Sequence, residues 1–240
     1  MKELLNRERI SIVIPVFNEA AALPGTLGAL SAIAHGLDLG GDYELIVVDG
    51  QSTDGTVEAA QRFTDRVILA RKGRGAQLKA GAEAASGGIL FFMHADCVPP
   101  SGFPDAIRRT LSQTGVCAGA FDIRIDSPKR RYRVIERAAN LRSRLTRAPY
   151  GDQGLFMTRE TYEGIGGYAE IPLMEDIEIA GRLIKIGRIA ILRTPMLVSP
   201  RRWEREGIIY TTLRDWSLAA LYSVLGVPPE RLAGRYRDVR

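Results

Sequence analysis

Five consecutive apolar residues at positions 89–93, Ile-Leu-Phe-Phe-Met, constrain the fold of this chain more than any other stretch. Two glycines precede the run, and Pro99 and Pro100 follow it closely, so regular backbone pairing is expected to stop there. An apolar run of this length between such breakers predicts a strand that is buried on both faces. Strands of this kind are typical of the centre of a parallel sheet.

The residues that follow this strand, His94 and Asp96, are the first candidates for a functional site. In open α/β sheets, ligands bind outside the carboxyl ends of the strands, and side chains at alternate positions of an extended backbone point the same way. One imidazole and one carboxylate in such a cleft can hold a divalent metal ion. The alternative is structural: Asp96 caps a turn and His94 is a hydrogen-bonded polar residue.

The other patterns in the first hundred residues alternate between strand and helix. Strands are predicted at residues 10–16, 43–48 and 66–70, and helices at residues 20–34, 57–63 and after the glycine-rich segment 72–81. Asn18 is positioned as the N-cap of the first helix. Alternating strands and helices imply right-handed crossovers and a parallel sheet. The predicted fold class is therefore α/β, with residues 1–100 forming a nucleotide-binding type of half.

The second half of the chain changes character. A helix capped by Ser101 is predicted to run to about residue 112, followed by strands at 116–125 and 154–158 with a turn at 150–153 between them. An amphipathic helix is predicted at 175–186, a loop at 199–203, an apolar helix at 208–225 and a short last helix at 228–236. We predict one domain over residues 1–240, with a second half at 101–205 and C-terminal helices at 206–240.

Composition excludes several classes of protein. The chain has 240 residues, a formal net charge of +5 and two cysteines, Cys97 and Cys117, without a Cys-x-x-Cys motif, so neither a disulfide framework nor a zinc site is expected. The first nine residues are too charged for a signal peptide, and no uninterrupted apolar stretch has transmembrane length. A cytoplasmic protein is therefore predicted. The positive charge permits an anionic ligand or a membrane surface, and no nucleic-acid partner is expected.

Acidic and glycine-rich positions at the other predicted segment ends add candidates. Glu19 and Asp49 follow the first two strands, where a ribose or base is often recognised in α/β folds, although Asp49 can equally form an Asx turn. Arg74 and Gly75 begin a helix whose N-terminal N–H groups can approach a phosphate. The spacing of these glycines does not match the dinucleotide-binding fingerprint, and on its own it is a weak signal.

Two further clusters carry candidate chemistry. Glu175 and Asp176 open a helix, where acids are favoured as caps, and where either can instead serve as a general base for an acceptor hydroxyl. Arg201, Arg202 and Trp203 combine two planar cations with an aromatic face, which suits a diphosphate, although a solvated loop is the more common fate of such a cluster. Asp152 and Gln153 either hydrogen-bond a substrate or only form the turn.

Residues 129–147 form the most basic segment, with seven arginines and one lysine against one acid, Glu136. Tyr132, Ile135, Ala139 and Leu145 fall near helical spacing and predict a packed face opposite a basic one. This helix is predicted to meet an anionic acceptor or a membrane surface peripherally. The alternative is a solvated basic face.

Taken together, these stretches resemble glycosyltransferase family 2, which has the GT-A fold. The resemblance covers about residues 10–205 in the family's order and rough spacing, and is carried by residues 11–19 (SIVIPVFNE), 47–56 (VVDGQSTDGT), 73–76 with Gly81, 94–96 (HAD) and 174–176 (MED). The fuller pattern, including 150–153 (YGDQ), 172–176 (PLMED) and 201–203 (RRW), is similar to a small subgroup of arsenosugar-biosynthesis-type transferases.

The resemblance implies a role for each matching residue. Pro15, Phe17 and Glu19 would line the nucleoside pocket, and Asp49 would contact the base or ribose. Asp96 would be the metal-binding acid and Asp176 the catalytic base, with Glu175 in a supporting or capping role. The residues Arg201, Arg202 and Trp203 resemble an arginine–tryptophan motif of larger relatives. His94 departs from the family pattern, which usually has an aspartate there; a neutral imidazole can ligate a metal but supplies less negative charge.

These roles imply an inverting transferase that uses Mn²⁺ or Mg²⁺ and a nucleotide-diphospho-sugar donor, with a small-molecule or lipid-linked acceptor. A sugar-1-phosphate nucleotidylyltransferase is one alternative, but it would need a basic glycine-rich loop after the first strand, where this chain has Phe17, Asn18 and Glu19. A non-catalytic nucleotide-sugar-binding protein is the other alternative, favoured by His94 in the metal motif.

Overall fold

A computed structural model describes residues 8–36 and 43–234 of the chain. The first half contains β1 (Ile10–Val16), α1 (Leu23–Gly36), β2 (Tyr43–Asp49), α2 (Thr56–Gln61), β3 (Val67–Leu69), α3 (Arg74–Ala84), β4 (Ile89–Phe92) and β5 (Cys97–Val98). The second half contains α4 (Phe103–Leu111), β6 (Val116–Ile125), α5 (Arg130–Thr146), a 3₁₀ turn (Gly151–Gln153), β7 (Leu155–Thr158), α6 (Arg159–Gly164), α7 (Glu175–Ile186), β8 (Arg188–Val198), α8 (Arg201–Glu206), α9 (Ile208–Ser223) and α10 (Pro229–Ala233).

The strands form one sheet in the order β3-β2-β1-β4-β7-β6-β8-β5. The four strands of the first half, β3, β2, β1 and β4, are mutually parallel. Strand β7 then pairs antiparallel with both β4 and β6, whereas β8 pairs parallel with β6 and antiparallel with β5. The predicted α/β class is confirmed, and the parallel sheet expected from the alternating pattern covers the first half, while the sheet as a whole is mixed.

Helices cover both faces of this sheet because the central strands are apolar on both sides. On one face, Ile12 and Ile14 of β1 pack with Leu27 of α1 and with Phe103 and Ile107 of α4. The opposite face contains Val13 of β1, Leu78 of α3, and Ile179 and Leu183 of α7. Strand β4, predicted to be buried on both faces, is buried at every position. Burial of this kind contributes about 1.5–3 kcal/mol per large apolar side chain.

The two predicted helix caps, Asn18 and Ser101, are both wrong. Asn18 has a left-handed backbone (φ 53°) and its side-chain oxygen accepts the N–H of Thr53, so it ties two loops together, and α1 begins only at Leu23. Ser101 is likewise not a cap, because α4 begins at Phe103 after Gly102, whose φ is 75°. In both cases a loop contact or a glycine turn takes the place of the local side-chain cap.

The region after α7 also differs from the predictions. Strand β8 was not predicted, since its sequence contains Pro195 and its register against β6 shifts between Leu192 and Pro195, which breaks the alternation that marks a strand. The predicted loop at 199–203 is wrong as well: α8 starts at Arg201. Residues 235 and 236 of the predicted last helix lie outside the described residues.

In the basic helix α5, Tyr132, Ile135 and Ala139 pack against the rest of the protein as predicted. The prediction for Leu145 is wrong, because this residue is 75% exposed. Near the end of α5 the buried residue is the polar Ser143, whereas an apolar residue was expected to be buried there. Among the described residues, no helix is both long and apolar enough to cross a membrane.

Candidate active site

Two cavities meet at the carboxyl edge of the central strands. The strand-edge cavity, about 420 Å³, lies above β1 and β4 and is lined by Pro15, Val16, Phe17, Glu19, Lys72, Gly73, Arg74, Gln77, His94, Ala95, Asp96, Pro172, Arg201 and Arg202. The helix-walled cavity, about 150 Å³, lies between α5, α8 and α9, with the 3₁₀ turn and the start of α7 at its base. Four residues line both cavities: Arg74, His94, Asp96 and Arg202.

The strand-edge cavity collects the candidate residues of the first half. Pro15, Phe17 and Glu19 line it directly, and the Lys72 amine lies 3.9 Å from the centre of the Phe17 ring. Asp49 is buried at the end of the adjacent strand β2, outside the lining set. Its Oδ2 accepts the N–H of Ser52, while its Oδ1 is buried without a hydrogen-bond partner. A buried carboxylate oxygen without a donor is costly, and a ligand N–H or O–H would remove that cost.

Gln77 is a residue of this cavity that the sequence did not indicate. Its side-chain amide donates to the carbonyl oxygens of Val16 (2.7 Å) and Val48 (2.8 Å), at the ends of β1 and β2. It thereby fixes the spacing of the two strands from which Phe17 and Asp49 extend. No local signal marks it, because a glutamine within a helix is usually solvated.

Arg201 lies across the strand-edge cavity. Its guanidinium donates from Nη1 and Nη2 to the two carboxylate oxygens of Glu19, at 2.7 and 2.9 Å, and Nη2 also lies 3.6 Å from Asp96 Oδ2. The hydrogen bond to Glu19 is the main cause of a raised pKa of Arg201. Two acids that follow separate strands, β1 and β4, thus hold one planar cation, and such a fork suits bidentate binding of phosphate.

Arg202 and Trp203 belong to the wall between the cavities. Burial lowers the pKa of the Arg202 guanidinium, and Asp215 of α9 lies 3.6 Å from it. Trp203 packs edge-on against Tyr132 of α5, with 6.3 Å between ring centres. The three residues predicted to bind a diphosphate together therefore lie in different cavities. Arg201 and Arg202 line the strand-edge cavity, whereas Trp203 lines only the helix-walled cavity.

His94 and Asp96 lie at the junction, as the strand β4 predicts. Burial, with the nearby cations of Arg74 and Arg202, lowers the pKa of His94 to about 3, so the ring is neutral. Its Nε2 faces Gly151 so closely that a Cβ at that glycine would lie 2.2 Å away. The Asp96 carboxylate has contacts of only 3.6 and 3.7 Å, to Arg201 and to Cys97 Sγ, which leaves its oxygens able to accept stronger partners.

Asp96 fits a divalent cation only together with oxygens from a ligand. The described residues contain no group of three or more His, Cys, Asp or Glu side chains arranged to hold a metal. Mg²⁺ sites of nucleotide enzymes are commonly built this way, from one or two carboxylates and the phosphates of the substrate.

Glu175 and Asp176 are adjacent but have different surroundings. Glu175 is buried and its Oε1 accepts from Arg74 Nε at 2.6 Å; burial raises its pKa, and the charge of Asp176 adds to that rise while Arg74 opposes it. Asp176 lines the helix-walled cavity, and its two oxygens accept the N–H groups of Gly151 (3.1 Å) and Ile177 (2.8 Å). Asp176 is therefore the acid that a substrate can reach, and Glu175 holds Arg74 in place.

The base of the helix-walled cavity is built around Arg142 and the 3₁₀ turn. The Arg142 guanidinium lies 3.3 Å from the centre of the Tyr150 ring. Gln153 is buried beneath it, where its side chain accepts from Ser143 and from the N–H of Tyr150 and donates to the carbonyl of Phe121. Both Asp152 and Gln153 line the cavity, and the hydrogen bonds of the Gln153 side chain give it a structural role there.

The carboxyl group of Asp152 is expected to make stability depend on pH. Burial raises its pKa to about 6, with Asp176 and Asp96 adding to the rise and Arg142 and Arg202 opposing it. Since the folded chain holds this proton more tightly than the unfolded chain, stability should fall as the pH rises from about 4 to about 6. We expect Asp152→Asn to remove that loss and to be more stable than the wild type by about 1–3 kcal/mol at pH 7.5.

Urea unfolding of both proteins in EDTA at pH 4 and pH 7.5 measures this difference. The matched control is Asp126→Asn, at an exposed aspartate on the loop after β6. A stability difference between Asp152→Asn and the wild type that is the same at both pH values would contradict the prediction.

Gly75, predicted to approach a phosphate, lies in the first turn of α3 and outside both lining sets. A Cβ there would lie 2.2 Å from the carbonyl oxygen of Ala169, a backbone atom that has no rotamer to move into. The glycine thus lets α3 pack against the segment that leads to α7. We expect Gly75→Ala to destabilise the fold by about 1–3 kcal/mol, as overpacking does.

The control for this substitution is Gly181→Ala within α7, where an added Cβ meets no atom within 4 Å. That change should stabilise the chain by about 0.5–1 kcal/mol through helix propensity alone. Thermal and urea denaturation of the two variants measure this difference in stability, and equal stability of Gly75→Ala and the wild type would contradict a close approach of Gly75 to Ala169.

Several residues of the site were not singled out from the sequence. They are Lys72 and Gln77 of the strand-edge cavity and Thr212, Asp215 and Trp216 of α9. Helix α9 was predicted only as an apolar C-terminal helix. Its polar residues Arg214 and Asp215, which interrupt that apolar pattern, were the signal for a wall of the cavity.

The fold resembles solved glycosyltransferases at low sequence identity. The structure of a mannosyltransferase from Pyrobaculum calidifontis in complex with GDP-Man and Mn²⁺ matches with a TM-score of 0.62 and 21% identity over 98% of this chain and 66% of that one. Glucosyl-3-phosphoglycerate synthase from Mycobacterium tuberculosis, in complex with Mn²⁺ and UDP-glucose, matches with a TM-score of 0.64 and 22% identity over 95% and 84%.

Curated relatives match with higher sequence identity over a shorter part of the chain. Glycosyltransferase AglE of Haloferax volcanii is 33% identical over 114 residues, which are 45% of this chain and 36% of AglE. An undecaprenyl-phosphate 4-deoxy-4-formamido-L-arabinose transferase of Pseudomonas paraeruginosa is 34% identical over 132 residues, 51% of this chain and 38% of the transferase. The chain thus matches well under half the length of these relatives.

The family model described as Glycosyl transferase family 2 matches residues 11–166, which run from β1 to α6 and include the His94–Asp96 junction. The mixed, mostly parallel sheet agrees with the GT-A glycosyltransferase structures. The chain is therefore a member of glycosyltransferase family 2.

Proposed function

We propose that this protein transfers a sugar from a nucleotide-diphospho-sugar to an acceptor hydroxyl, with inversion at the anomeric carbon and with the help of Mn²⁺ or Mg²⁺. One observation carries the proposal. Asp96, His94, Arg74 and Arg202 lie where the two cavities meet, and Asp176 faces the junction from the helix-walled side. A donor in one cavity and an acceptor in the other would bring the reacting atoms together at this junction.

The donor nucleotide would occupy the strand-edge cavity. Phe17 and Pro15 offer apolar surface for the nucleoside, and the unpaired Oδ1 of Asp49 is suited to accept a hydrogen bond from its base or ribose. Lys72 and the arginines Arg74, Arg201 and Arg202 supply positive charge for the diphosphate. Because Arg201 is held by Glu19, a donor has to compete with that carboxylate or bind alongside it.

Asp96 would hold the metal ion jointly with the diphosphate oxygens, and His94 lies next to it without a charge. When bound, the ion would neutralise negative charge on the leaving diphosphate. This use of a metal is supported by the Mn²⁺ present with GDP-Man and UDP-glucose in the two similar structures.

Asp176 would accept the proton of the acceptor hydroxyl as its oxygen attacks the anomeric carbon. The two backbone N–H groups at Gly151 and Ile177 fix the orientation of this carboxylate, which general-base catalysis requires. Inversion is proposed because one base faces the junction and the resemblance to the family assigns no nucleophile. Arg74, positioned by Glu175, is placed to stabilise charge on the leaving group.

We also propose a division of labour along the chain. Residues 1–100 would form the nucleotide-sugar-binding half, residues 101–205 the acceptor and catalytic half, and residues 206–240 the C-terminal helices, of which α9 walls the acceptor cavity. The acceptor is either a small molecule or lipid-linked, as undecaprenyl phosphate is in the name of one relative. The comparisons support the family and leave the arsenosugar-type subgroup as a resemblance only. A cytoplasmic location, with peripheral membrane contact, remains part of the proposal.

A thermal-shift screen with UDP, GDP and CDP, each with and without Mn²⁺, tests the donor half of this proposal. Ligands that bind only the folded state raise the melting temperature, so one nucleotide should raise it clearly, and more with Mn²⁺ than with EDTA. No shift with any nucleotide in the presence of Mn²⁺ would contradict the proposal.

A further inference from the structure

The two helices that wall the acceptor side, α5 and α9, each expose a second, apolar stripe to solvent. On α5 the stripe consists of Val134, Leu141 and Leu145, whose side chains are 55–75% exposed. On α9 it consists of Ile209, Leu213 and Trp216, which are 39–75% exposed. Contiguous exposed apolar side chains of this kind are typical of surfaces that bind a protein or a membrane.

Both stripes adjoin the mouth of the helix-walled cavity. Val134 and Leu141 each precede a residue that lines the cavity, Ile135 and Arg142, and are therefore rotated by about 100° from it around the helix. On α9, Leu213 follows the lining residue Thr212 in the same way, and Trp216 belongs both to the stripe and to the lining. The apolar stripes thus continue outward from the walls of the cavity, and together we call them the rim.

The rim on α5 is strongly basic. Arg130, Arg131 and Arg137 are exposed beside its apolar stripe, and among the residues that the structure describes, Arg130 and Arg137 form no ion pair. The single acid of this segment, Glu136, is buried and paired with Arg133 on the inner side. Apolar side chains flanked by arginines that lack acidic neighbours are typical of helices that lie on anionic lipid surfaces.

We propose that the rim docks the protein onto an anionic lipid bilayer, with the mouth of the helix-walled cavity facing the membrane. The inference rests on the proposed function only for what enters that cavity, an acceptor delivered from the bilayer. A second copy of the chain is a poorer occupant, since two identical rims facing each other would place arginines against arginines. An anionic bilayer complements the arginines and also accepts the apolar side chains.

The test is co-sedimentation of the protein with vesicles of phosphatidylcholine alone and with vesicles containing 30 mol% phosphatidylglycerol. Binding to the anionic vesicles should weaken as salt rises, since the arginines act through screened charge. Arg130→Gln with Arg137→Gln should lower the partition coefficient about 25-fold, from about fivefold for each arginine. Ile209→Gln with Leu213→Gln should lower it further, because these side chains enter the interface.

Matched controls remove the same groups elsewhere on the surface. Arg62→Gln with Lys185→Gln takes away two exposed cations outside the rim, and Leu69→Gln takes away an exposed leucine on the sheet edge. These variants should sediment like the wild type. Sedimentation of the wild type with neither vesicle, or equal loss in the rim and control variants, would overturn the proposal.

Two further measurements separate this proposal from the others. Binding of UDP and GDP with Mn²⁺, measured on the rim variants, should equal that of the wild type, since the altered residues lie outside both cavities. Vesicle binding without any nucleotide binding would contradict the proposed function but support membrane docking by the rim. Nucleotide binding without vesicle binding would contradict membrane docking alone.

Analytical ultracentrifugation of the wild type and Leu213→Gln completes the test. If the wild type is a dimer, the Leu213→Gln variant is a monomer and neither binds vesicles, the rim would be an interface with a second copy of the chain.

Discussion

Asp176→Asn should lower the turnover number by about 10²–10⁴-fold, the usual contribution of a general base. The amide keeps the shape of the carboxylate, and its oxygen can still accept the N–H of Ile177 or of Gly151, so the fold should survive. The Kd for the nucleotide should remain that of the wild type, because the side chain faces the acceptor side of the junction. Turnover is measured as release of nucleoside diphosphate from the nucleotide sugar, on the same preparation used for the Kd.

The control is Glu178→Gln in the first turn of the same helix. This change removes a carboxylate that is paired with Arg182 and lies outside both cavities, so it should leave turnover unchanged. A folded Asp176→Asn protein with wild-type turnover would rule out the base. Loss of nucleotide binding together with turnover would instead place Asp176 on the donor side.

Asp96→Asn should weaken nucleotide binding in the presence of Mn²⁺ by at least about tenfold, since even groups that only support metal ligands contribute 10–100-fold to metal affinity. With EDTA the affinity should be unchanged or slightly higher, because the substitution also frees Arg201 from one of its two acids. Isothermal titration with the best nucleotide of the thermal-shift screen, with Mn²⁺ and with EDTA, measures both arms.

Asp65→Asn, at an exposed aspartate before β3, controls for the loss of a negative charge and should bind as the wild type does. Equal affinity of Asp96→Asn and wild type at saturating Mn²⁺ would remove Asp96 from the metal site. Electron paramagnetic resonance of Mn²⁺ in the presence of nucleotide gives an independent readout, since the variant should leave more of the ion free.

The sequence predicted the parts of the fold and site that depend on local pattern. Continuous apolar runs gave β1, β2 and β4 within one or two residues, and the rule that ligands bind at the carboxyl ends of parallel strands brought Phe17, His94 and Asp96 to one cavity. Helix α7 was predicted at its observed bounds, because its amphipathic period and its acidic first turn agree.

The rest depends on contacts between distant segments. Strand β8 was missed because a proline and a register shift interrupt its alternation, although pairing with β6 stabilises it. Arg142 was predicted to meet an anionic acceptor or a membrane surface together with the other basic residues of its helix, and its guanidinium stacks on Tyr150 inside the cavity. The number of arginines in a helix does not show which way each side chain points. The consequences of Gly75 and Gln77 arise from the close approach of α3 to Ala169 and to two strand ends, which no spacing within α3 reveals.

The separation of Glu175 from Asp176 shows the same limit at the level of chemistry. Both acids begin one helix, and the sequence alone gives each the same reasons to be a cap or a base. The structure distinguishes them because Arg74, a hundred residues earlier, buries and pairs with one, while the cavity reaches the other.

The central claim is sugar transfer with inversion, and the anomeric configuration of the first-formed product tests it most directly. The wild-type protein, with Mn²⁺, is incubated with UDP-, GDP- and CDP-sugars while proton and phosphorus NMR follow the anomeric proton and the phosphates, with water as the acceptor if no better one is present. We predict that one donor is consumed, that nucleoside diphosphate appears, and that the sugar is released first as the opposite anomer. Release of the same anomer, cleavage to a sugar 1-phosphate, or no consumption of any donor by a protein that binds its nucleotide would contradict the account.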